Sequence, residues 1–137
     1  MIDTSVLVAG LVTNHEFHAR ARPYVAEATR GRVPGIVLAE AWSVLRRAPF
    51  HLDARVVADA LAPWASAERV AETPAGSYAQ VLRVGRELHL GGNIHDLLIG
   101  HTCAVAGGTM ATLDRQQAAL TRNVPGLEVE LLLPEST

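Results

Sequence analysis

Lysine is absent from the 137-residue chain, so all 12 basic residues are arginine. This absence counts against a phosphoryl-accepting receiver module, which needs a lysine beside its acidic pocket. Cysteine is nearly absent as well, and the single Cys103 cannot form an internal disulfide. A free thiol agrees with a reducing compartment. The formal net charge of −2 neither demands nor excludes a nucleic-acid partner.

Long apolar runs are also missing, although 49% of the residues are hydrophobic. No window approaches the ~18 consecutive apolar residues of a membrane span. Asp3 interrupts the apolar start and no basic residue precedes it, so we expect no signal peptide and a cytoplasmic protein. Without repeats or low-complexity tracts, the length predicts one domain over residues 1–137.

Short strand patterns alternate with helical patterns along the chain. We predict strands at 1–3, 32–37, 68–73, 108–113 and 127–133, and helices at 4–12, 15–29, 37–47, 54–61, 76–90, 94–106 and 114–122. This alternation predicts an α/β fold, namely a three-layer α/β/α sandwich around a mostly parallel central sheet. In such folds the ligand site lies beyond the carboxyl ends of the strands.

Two aspartates stand where predicted strands end. Asp3 follows the first strand and Asp114 the fourth, so both are expected at the carboxyl edge of the sheet. Each also has a structural explanation as a helix N-cap, a role that contributes about 1 kcal/mol. Either residue alone therefore indicates no site.

Two further acids begin helices at the same edge. Asp96 lies in the first turn of an otherwise apolar helix, and Gly100 and Gly107 continue its face. Because glycine inside a helix costs roughly 1 kcal/mol, we read these glycines as close approach to another backbone, with Asp96 carried inward. Glu40 lies near the start of the helix after the second strand, although a solvated glutamate paired with Arg47 is an alternative.

Four acids at one sheet edge would repel one another. Two carboxylates ~4 Å apart repel by about 4 kcal/mol at an effective dielectric of 20, so the cluster needs protonation or a cation. Oxygen ligands without a Cys/His set suit Mg²⁺ or Mn²⁺. Such a metal activates water and stabilises charge on a phosphoryl oxygen, so the cluster suggests phosphodiester hydrolysis.

Three segments together resemble a known family. "MIDTSVLVAG", "VLAEAWSVL" and "NIHDLLIGHTCAVAGGTMATLDRQQ" resemble the acidic motifs of PIN-domain nucleases. Their order, spacing and length are similar to those of the VapC-type toxins of bacterial toxin–antitoxin pairs. The resemblance implies a PIN-like fold and a Mg²⁺- or Mn²⁺-dependent endoribonuclease that cleaves tRNA, rRNA or mRNA to inhibit translation.

The same resemblance implies roles for particular residues and partners. Its acidic quartet matches Asp3, Glu40, Asp96 and Asp114; the aspartates would bind the metal directly or through water, and Glu40 would position water or a second metal. The hydroxyls beside the site, which we assign to substrate binding, match Thr4 and Thr112. A VapB-like antitoxin that inserts a basic side chain among the acids, and a homodimer, are implied as partners.

Substrate phosphates need cations that acids cannot supply. The candidates are all arginines near the predicted site, and for each the alternative is a solvated helix face. They are Arg20, Arg22, Arg46, Arg47 and Arg115.

Other readings stay open or lack support. A PIN-like nuclease of RNA maturation and a non-catalytic acidic-pocket module for binding or signalling are alternatives to the toxin.

"HEFH" at 15–18 is one residue short of the H-E-x-x-H zinc motif, so we interpret it as a polar helix start. We expect His101 to be a hydrogen-bonded or interface histidine and Cys103 a small core residue, and a substrate role for His95 is open.

Overall fold

The computed structural model describes residues 1–135, which form seven α-helices, one 3-10 turn and four short strands. The strands are β1 (Val33–Pro34), β2 (Val70–Ala71), β3 (Thr109–Thr112) and β4 (Glu128–Leu131). The helices are α1 (Thr4–Leu11), α2 (His18–Ala26), α3 (Gly35–Arg46), α4 (Ala54–Leu61), α5 (Ala75–Glu87), α6 (Ile94–Ala106) and α7 (Arg115–Thr121). Within this part of the chain no helix is both long enough and apolar enough to cross a membrane.

Every strand pair is parallel. β1 pairs with β2 and β3 pairs with β4, and the extended segment 1–3 lies between the two pairs. Ile2 donates its N–H to the carbonyl of Arg32 at 3.0 Å and forms a parallel bridge with Ala111. The predicted α/β class with parallel strands is therefore confirmed. The first strand is reduced to this bridge, because only two residues precede Asp3.

The core divides into a large and a small cluster. The large one buries Ile2, Leu7 and Val37 between α1, α3 and the strands. The small one joins α5 to α6 through Val81 and Leu97. Because α1, α3 and α6 each contact the strands, their first turns are held at the sheet edge.

Turn residues explain most of the element boundaries. Asp53 caps α4 by accepting the Arg55 N–H at 2.8 Å, so the predicted helix 54–61 is confirmed. The predicted helix 15–29 is too long, because α2 runs only from His18 to Ala26. Its first residues instead form a turn in which His15 Nδ1 accepts the Phe17 N–H at 3.0 Å.

Helix α6 approaches a side chain rather than a backbone. A Cβ on Gly100 would lie 2.7 Å from Thr121 Cγ2 on α7, whereas one on Gly107 would meet open space. The predicted backbone contact is therefore wrong, and the glycine at 100 makes room for a β-branched side chain. The helix is also not buried on every side, since Val105 is 64% exposed.

Candidate active site

A cavity of about 330 Å³ opens at the carboxyl edge of the strands. Three of the four predicted acids line it, and each comes from a different element. Glu40 is in the second turn of α3, Asp96 is in the first turn of α6, and Asp114 follows β3. The remaining lining residues are Thr4, Ser5, Val8, His15, Val44, Phe50 and Gln117.

The fourth acid, Asp3, lies beneath this cavity rather than in its wall. Its side chain is fully buried. Oδ1 accepts hydrogen bonds from Ser5 Oγ at 2.6 Å and from the Val6 N–H at 3.0 Å, and Oδ2 accepts one from Thr112 Oγ1. Burial raises the pKa of Asp3 to about 6, although these three donors favour the charged form. Asp3 is thus both the N-cap of α1 and a buried, hydrogen-bonded carboxylate below the cavity.

Two hydroxyls connect the Asp3 carboxylate to the backbone amides of Leu113 and Asp114. Ser5 Oγ accepts the Leu113 N–H at 2.9 Å, and Thr112 Oγ1 accepts the Asp114 N–H at 3.0 Å. Thr112 is fully buried, so its hydroxyl lies below the cavity and bonds Asp3. Its predicted contact with substrate stays a prediction.

Asp114 combines a capping role with an open oxygen. Oδ1 accepts the N–H groups of Gln116 at 2.8 Å and Gln117 at 3.1 Å, which caps α7. Oδ2 has no hydrogen-bond partner among residues 1–135. One oxygen of an exposed carboxylate is therefore available to a ligand in the cavity.

Asp96 is the acid most affected by its neighbours. Desolvation is the main cause that raises its pKa to about 6, and the charges of Asp114 and Glu40 raise it further, while His95 acts in the opposite direction. Within the described chain no side chain donates a hydrogen bond to this carboxylate. A half-buried acid without a donor and next to two other acids is a strong candidate for a cation ligand.

Glu40 is held in place by a hydroxyl. Thr4 Oγ1 donates to Glu40 Oε1 at 2.9 Å, across the contact between α1 and α3. Thr4 therefore lies beside the acids, where the sequence predicted it. Its observed contact is with Glu40, and contact with substrate stays a prediction.

The donors in this cavity suit a divalent cation. Carboxylate and hydroxyl oxygens line it, and no arginine does among the described residues. In residues 1–135, no three Asp, Glu, His or Cys side chains stand close enough together to hold one ion. Mg²⁺ commonly keeps several waters and takes only one or two carboxylates from protein. Asp96 and Asp114 would hold it, with Glu40 beside them, and the full set of Asp3, Asp96 and Asp114 stays a prediction.

Among the predicted cationic residues, Arg47 shares a cavity with one of the acids. It lines a neighbouring cavity of about 420 Å³ together with Glu40, Ser43 and His95. Three other arginines donate to backbone carbonyls outside the acidic cavity, and Arg22 is exposed on α2. Those three bonds are Arg46 to Leu52 at 3.0 Å, Arg20 to Leu132 at 3.4 Å and Arg115 to Pro134 at 3.2 Å.

Two rings of the cavity are not predicted by the sequence. The sequence predicts a polar helix start at His15 and no role for Phe50, yet both side chains line the site. Both lie in loops, after α1 and after α3, so neither belongs to a periodic pattern. The aromatic character of two loop residues was the only signal, and spacing cannot show that the two loops meet.

The remaining polar candidates lie in the interior. Cys103 is fully buried, and its burial raises the pKa of the thiol to about 12, which leaves no nucleophilic thiolate near neutral pH. His101 is buried on α6, and desolvation lowers its pKa. Neither side chain lines the acidic cavity.

An α/β domain with parallel strands and a cavity lined by carboxylates at their carboxyl edge is an arrangement that suits metal-dependent hydrolysis of phosphodiesters. The model of one protein family, the PIN domain, matches residues 1–123. The chain therefore belongs to the PIN-domain family, whose members are generally Mg²⁺-dependent nucleases. No curated protein matches the chain significantly.

Proposed function

We propose that the protein is an endoribonuclease and the toxin of a type II toxin–antitoxin pair, which inhibits translation by cutting RNA. The proposal rests on the cavity that Glu40, Asp96 and Asp114 line together and that no arginine of residues 1–135 lines. Membership of the PIN-domain family supports nuclease activity, and the resemblance of the ordered acidic motifs to VapC-type toxins supports the finer role.

The acids and hydroxyls have distinct tasks in this reaction. Asp96 and Asp114 would hold a divalent cation, which would supply positive charge for the phosphoryl oxygens and lower the pKa of a nearby water. Asp3 orders the floor of the site through Ser5 and Thr112. Its negative charge beneath the cavity adds to the attraction for a cation.

We assign proton acceptance to Glu40. Its Oε1 accepts a hydrogen bond from the Thr4 hydroxyl, which leaves Oε2 to orient a water for in-line attack. The water oxygen forms a bond to phosphorus as the bond to the 3′ oxygen breaks. The attacking water passes one proton to the Glu40 carboxylate, which later releases it to solvent, and the departing 3′ oxygen takes one proton from solvent, so the products carry a 5′-phosphate and a 3′-hydroxyl.

Arg47 and His95 are suited to hold the RNA strand beyond the acids. Both line the second cavity, which shares Glu40 and Val44 with the first. A guanidinium binds phosphate in a bidentate manner. We therefore assign a neighbouring phosphate of the strand to Arg47.

Induced expression of the wild-type chain should generate new RNA 5′ ends that carry phosphate, at a small number of sites. Sequencing of RNA ends detects them, and ligation without prior phosphorylation identifies the 5′-phosphate. Asp114→Asn is the matched control, because asparagine keeps the oxygen that caps α7 and removes only the charge. This variant should generate none of the new RNA 5′ ends.

The same measurement separates the toxin from a maturation enzyme. Cuts inside functional tRNA, rRNA or mRNA with arrest of growth support the toxin. Cuts that produce mature ends of stable RNA without arrest support a role in RNA maturation instead. Identical ends in the wild type and in Asp114→Asn would refute the nuclease assignment.

An antitoxin is the second part of the proposal. A VapB-like protein would place an arginine or lysine head among Glu40, Asp96 and Asp114. The stem of that side chain would pack on Val8 and Val44, which line the same cavity. The acidic lining supports such a partner because a cationic head relieves the repulsion that raises the pKa of Asp96.

A homodimer is the third part, and α5 offers a surface for it. Tyr78 and Leu82 are one turn apart on this helix, and Leu82 is 67% exposed. Adjacent exposed apolar side chains mark protein interfaces. We expect Leu82→Glu to convert a dimer into a monomer in sedimentation velocity. The control Val56→Glu changes another exposed apolar position, on α4, and should leave the dimer intact. Equal sedimentation of the two variants would refute this surface.

A further inference from the structure

The acidic cavity becomes apolar with distance from the sheet edge. Thr4 lies in the first turn of α1 and Glu40 in the second turn of α3, and Val8 and Val44 follow one turn later on the same faces. His15 and Phe50 come from the loops after these two helices and complete the lining. The cavity therefore joins an acidic end to an aromatic end.

The two rings at the aromatic end lie nearly parallel. The ring centroids of His15 and Phe50 are 6.4 Å apart, and their planes differ by 18°, which is within the range of offset stacking. Phe17 meets His15 from the side, with an interplanar angle of 46°. His15 and Phe50 thus add two aromatic rings to a cavity otherwise lined by small, aliphatic and polar groups.

Hydrogen bonds hold the His15 ring and the backbone of both loop residues before any ligand binds. His15 Nδ1 accepts the Phe17 N–H at 3.0 Å, and the His15 N–H donates to the Val12 carbonyl at 3.0 Å. The Phe50 N–H donates to the carbonyl of Arg47 at 3.0 Å. Because Nδ1 is an acceptor, the proton of the neutral His15 ring is on Nε2, which can donate to a ligand.

We propose that the His15–Phe50 pair stacks on the nucleobase of an unpaired nucleotide next to the scissile phosphate. The inference rests on the proposed ribonuclease function and names its substrate class, which is RNA whose base is splayed out of a helix. Aromatic side chains stack on single-stranded bases with little regard to sequence. A paired base is covered by its neighbours, so a duplex cannot reach the rings while its phosphate meets the acids.

The volume supports one base and no more. At about 330 Å³, the cavity is at the lower end of the range for small-ligand pockets, roughly 300–1,000 Å³. Its acidic end is occupied by the phosphate and a cation in the proposed reaction. In the proposed reaction, the part of the cavity beside Val44 and the two rings is left for the base.

Abasic substitution at single positions of a cleaved oligonucleotide tests the proposal. An abasic residue adjacent to the mapped cut should lower kcat/KM about 5- to 150-fold, the range of one lost stacking contact, mainly through KM. Abasic residues several positions away should have no effect. In His15→Ala, and in Phe50→Leu, which keeps an apolar side chain, intact and adjacent-abasic substrates should be cleaved equally slowly.

Asn14→Ala is the matched control, since Asn14 is exposed in the same loop and outside the cavity. It should keep the full difference between intact and abasic substrates. Cleavage by the wild type that ignores abasic positions would overturn the stacking proposal and leave the ribonuclease function intact. No cleavage of any RNA by the wild type with Mg²⁺ or Mn²⁺ would overturn both.

Discussion

Asparagine in place of Asp96 is expected to lower metal-dependent RNA cleavage by about 1,000-fold. Metal-ion catalysis supplies several kcal/mol of transition-state stabilisation, and roughly 4 kcal/mol corresponds to a factor of about 1,000. Asp96 accepts no hydrogen bond from a side chain in residues 1–135, so the amide breaks no observed contact. The loss should appear in kcat under single-turnover conditions with saturating enzyme.

The folded state of this variant should not suffer. The charges of Asp114 and Glu40 disfavour ionised Asp96, so a neutral amide removes repulsion near neutral pH. Urea unfolding without metal should therefore show Asp96→Asn to be at least as stable as the wild type.

Asp53→Asn provides the matched control for charge removal. Asp53 is an exposed N-cap on α4 that accepts the Arg55 N–H, and asparagine caps equally well. It lies outside the acidic cavity, so its activity should equal that of the wild type. Full activity of Asp96→Asn would show that RNA cleavage does not require the carboxylate at position 96. Equal losses of activity in Asp96→Asn and Asp53→Asn would likewise show no specific requirement for that carboxylate.

The fold was largely predictable because its signals are local. Asp53 and Asp114 are caps that act over two or three residues, and alternating patterns with glycine and proline at the turns separate the elements. Thus the predicted helices 54–61 and 114–122 agree with α4 and α7 within a residue. The start of α2 differs from the predicted one because residues 15–17 form a turn in which the His15 ring accepts the Phe17 N–H. No periodic pattern reveals such a contact.

The site was predictable in part for a similar reason. Strand ends and first helical turns meet at one edge in parallel α/β folds, so Glu40, Asp96 and Asp114 were expected together and line one cavity. Which way a strand-end hydroxyl points depends on its neighbours, so the bond from Thr112 to Asp3 could not be foreseen. The meeting of His15 and Phe50 depends on two loops far apart in sequence, which local spacing cannot predict.

The metal-free protein is expected to lose stability as the pH rises from about 4 to about 6. Burial raises the pKa of Asp3 from 3.8 to about 6, so the folded state keeps a proton that the unfolded chain has already released. This proton stabilises the folded state fully below the pKa of Asp3 in the unfolded chain. The stabilisation is lost as the pH rises through the pKa of Asp3 in the folded state. For fully buried Asp3 the loss is about 3 kcal/mol, and Asp96 adds a smaller one of the same sign, reduced by solvent screening.

Magnesium should restore this stability only where the acids are ionised. A ligand that binds the folded state at about 100 times its Kd adds about 2.7 kcal/mol, and protons compete for the same oxygens at low pH. Urea unfolding with chelator and with Mg²⁺, at pH values from about 4 to about 7.5, measures both effects. The two curves should coincide near pH 4 and separate above about pH 6, the folded-state pKa of Asp3 and of Asp96.

Two variants locate the effect in the acidic site. Asp3→Asn keeps the oxygen that accepts the Ser5 and Val6 donors and removes the titrating group, so the fall in stability between about pH 4 and 6 should shrink. Asp59→Asn changes an exposed acid on α4 and should reproduce both wild-type curves. A metal-free wild-type curve that is flat or rises over this interval would contradict the raised pKa of Asp3, because the folded state would then hold no extra proton.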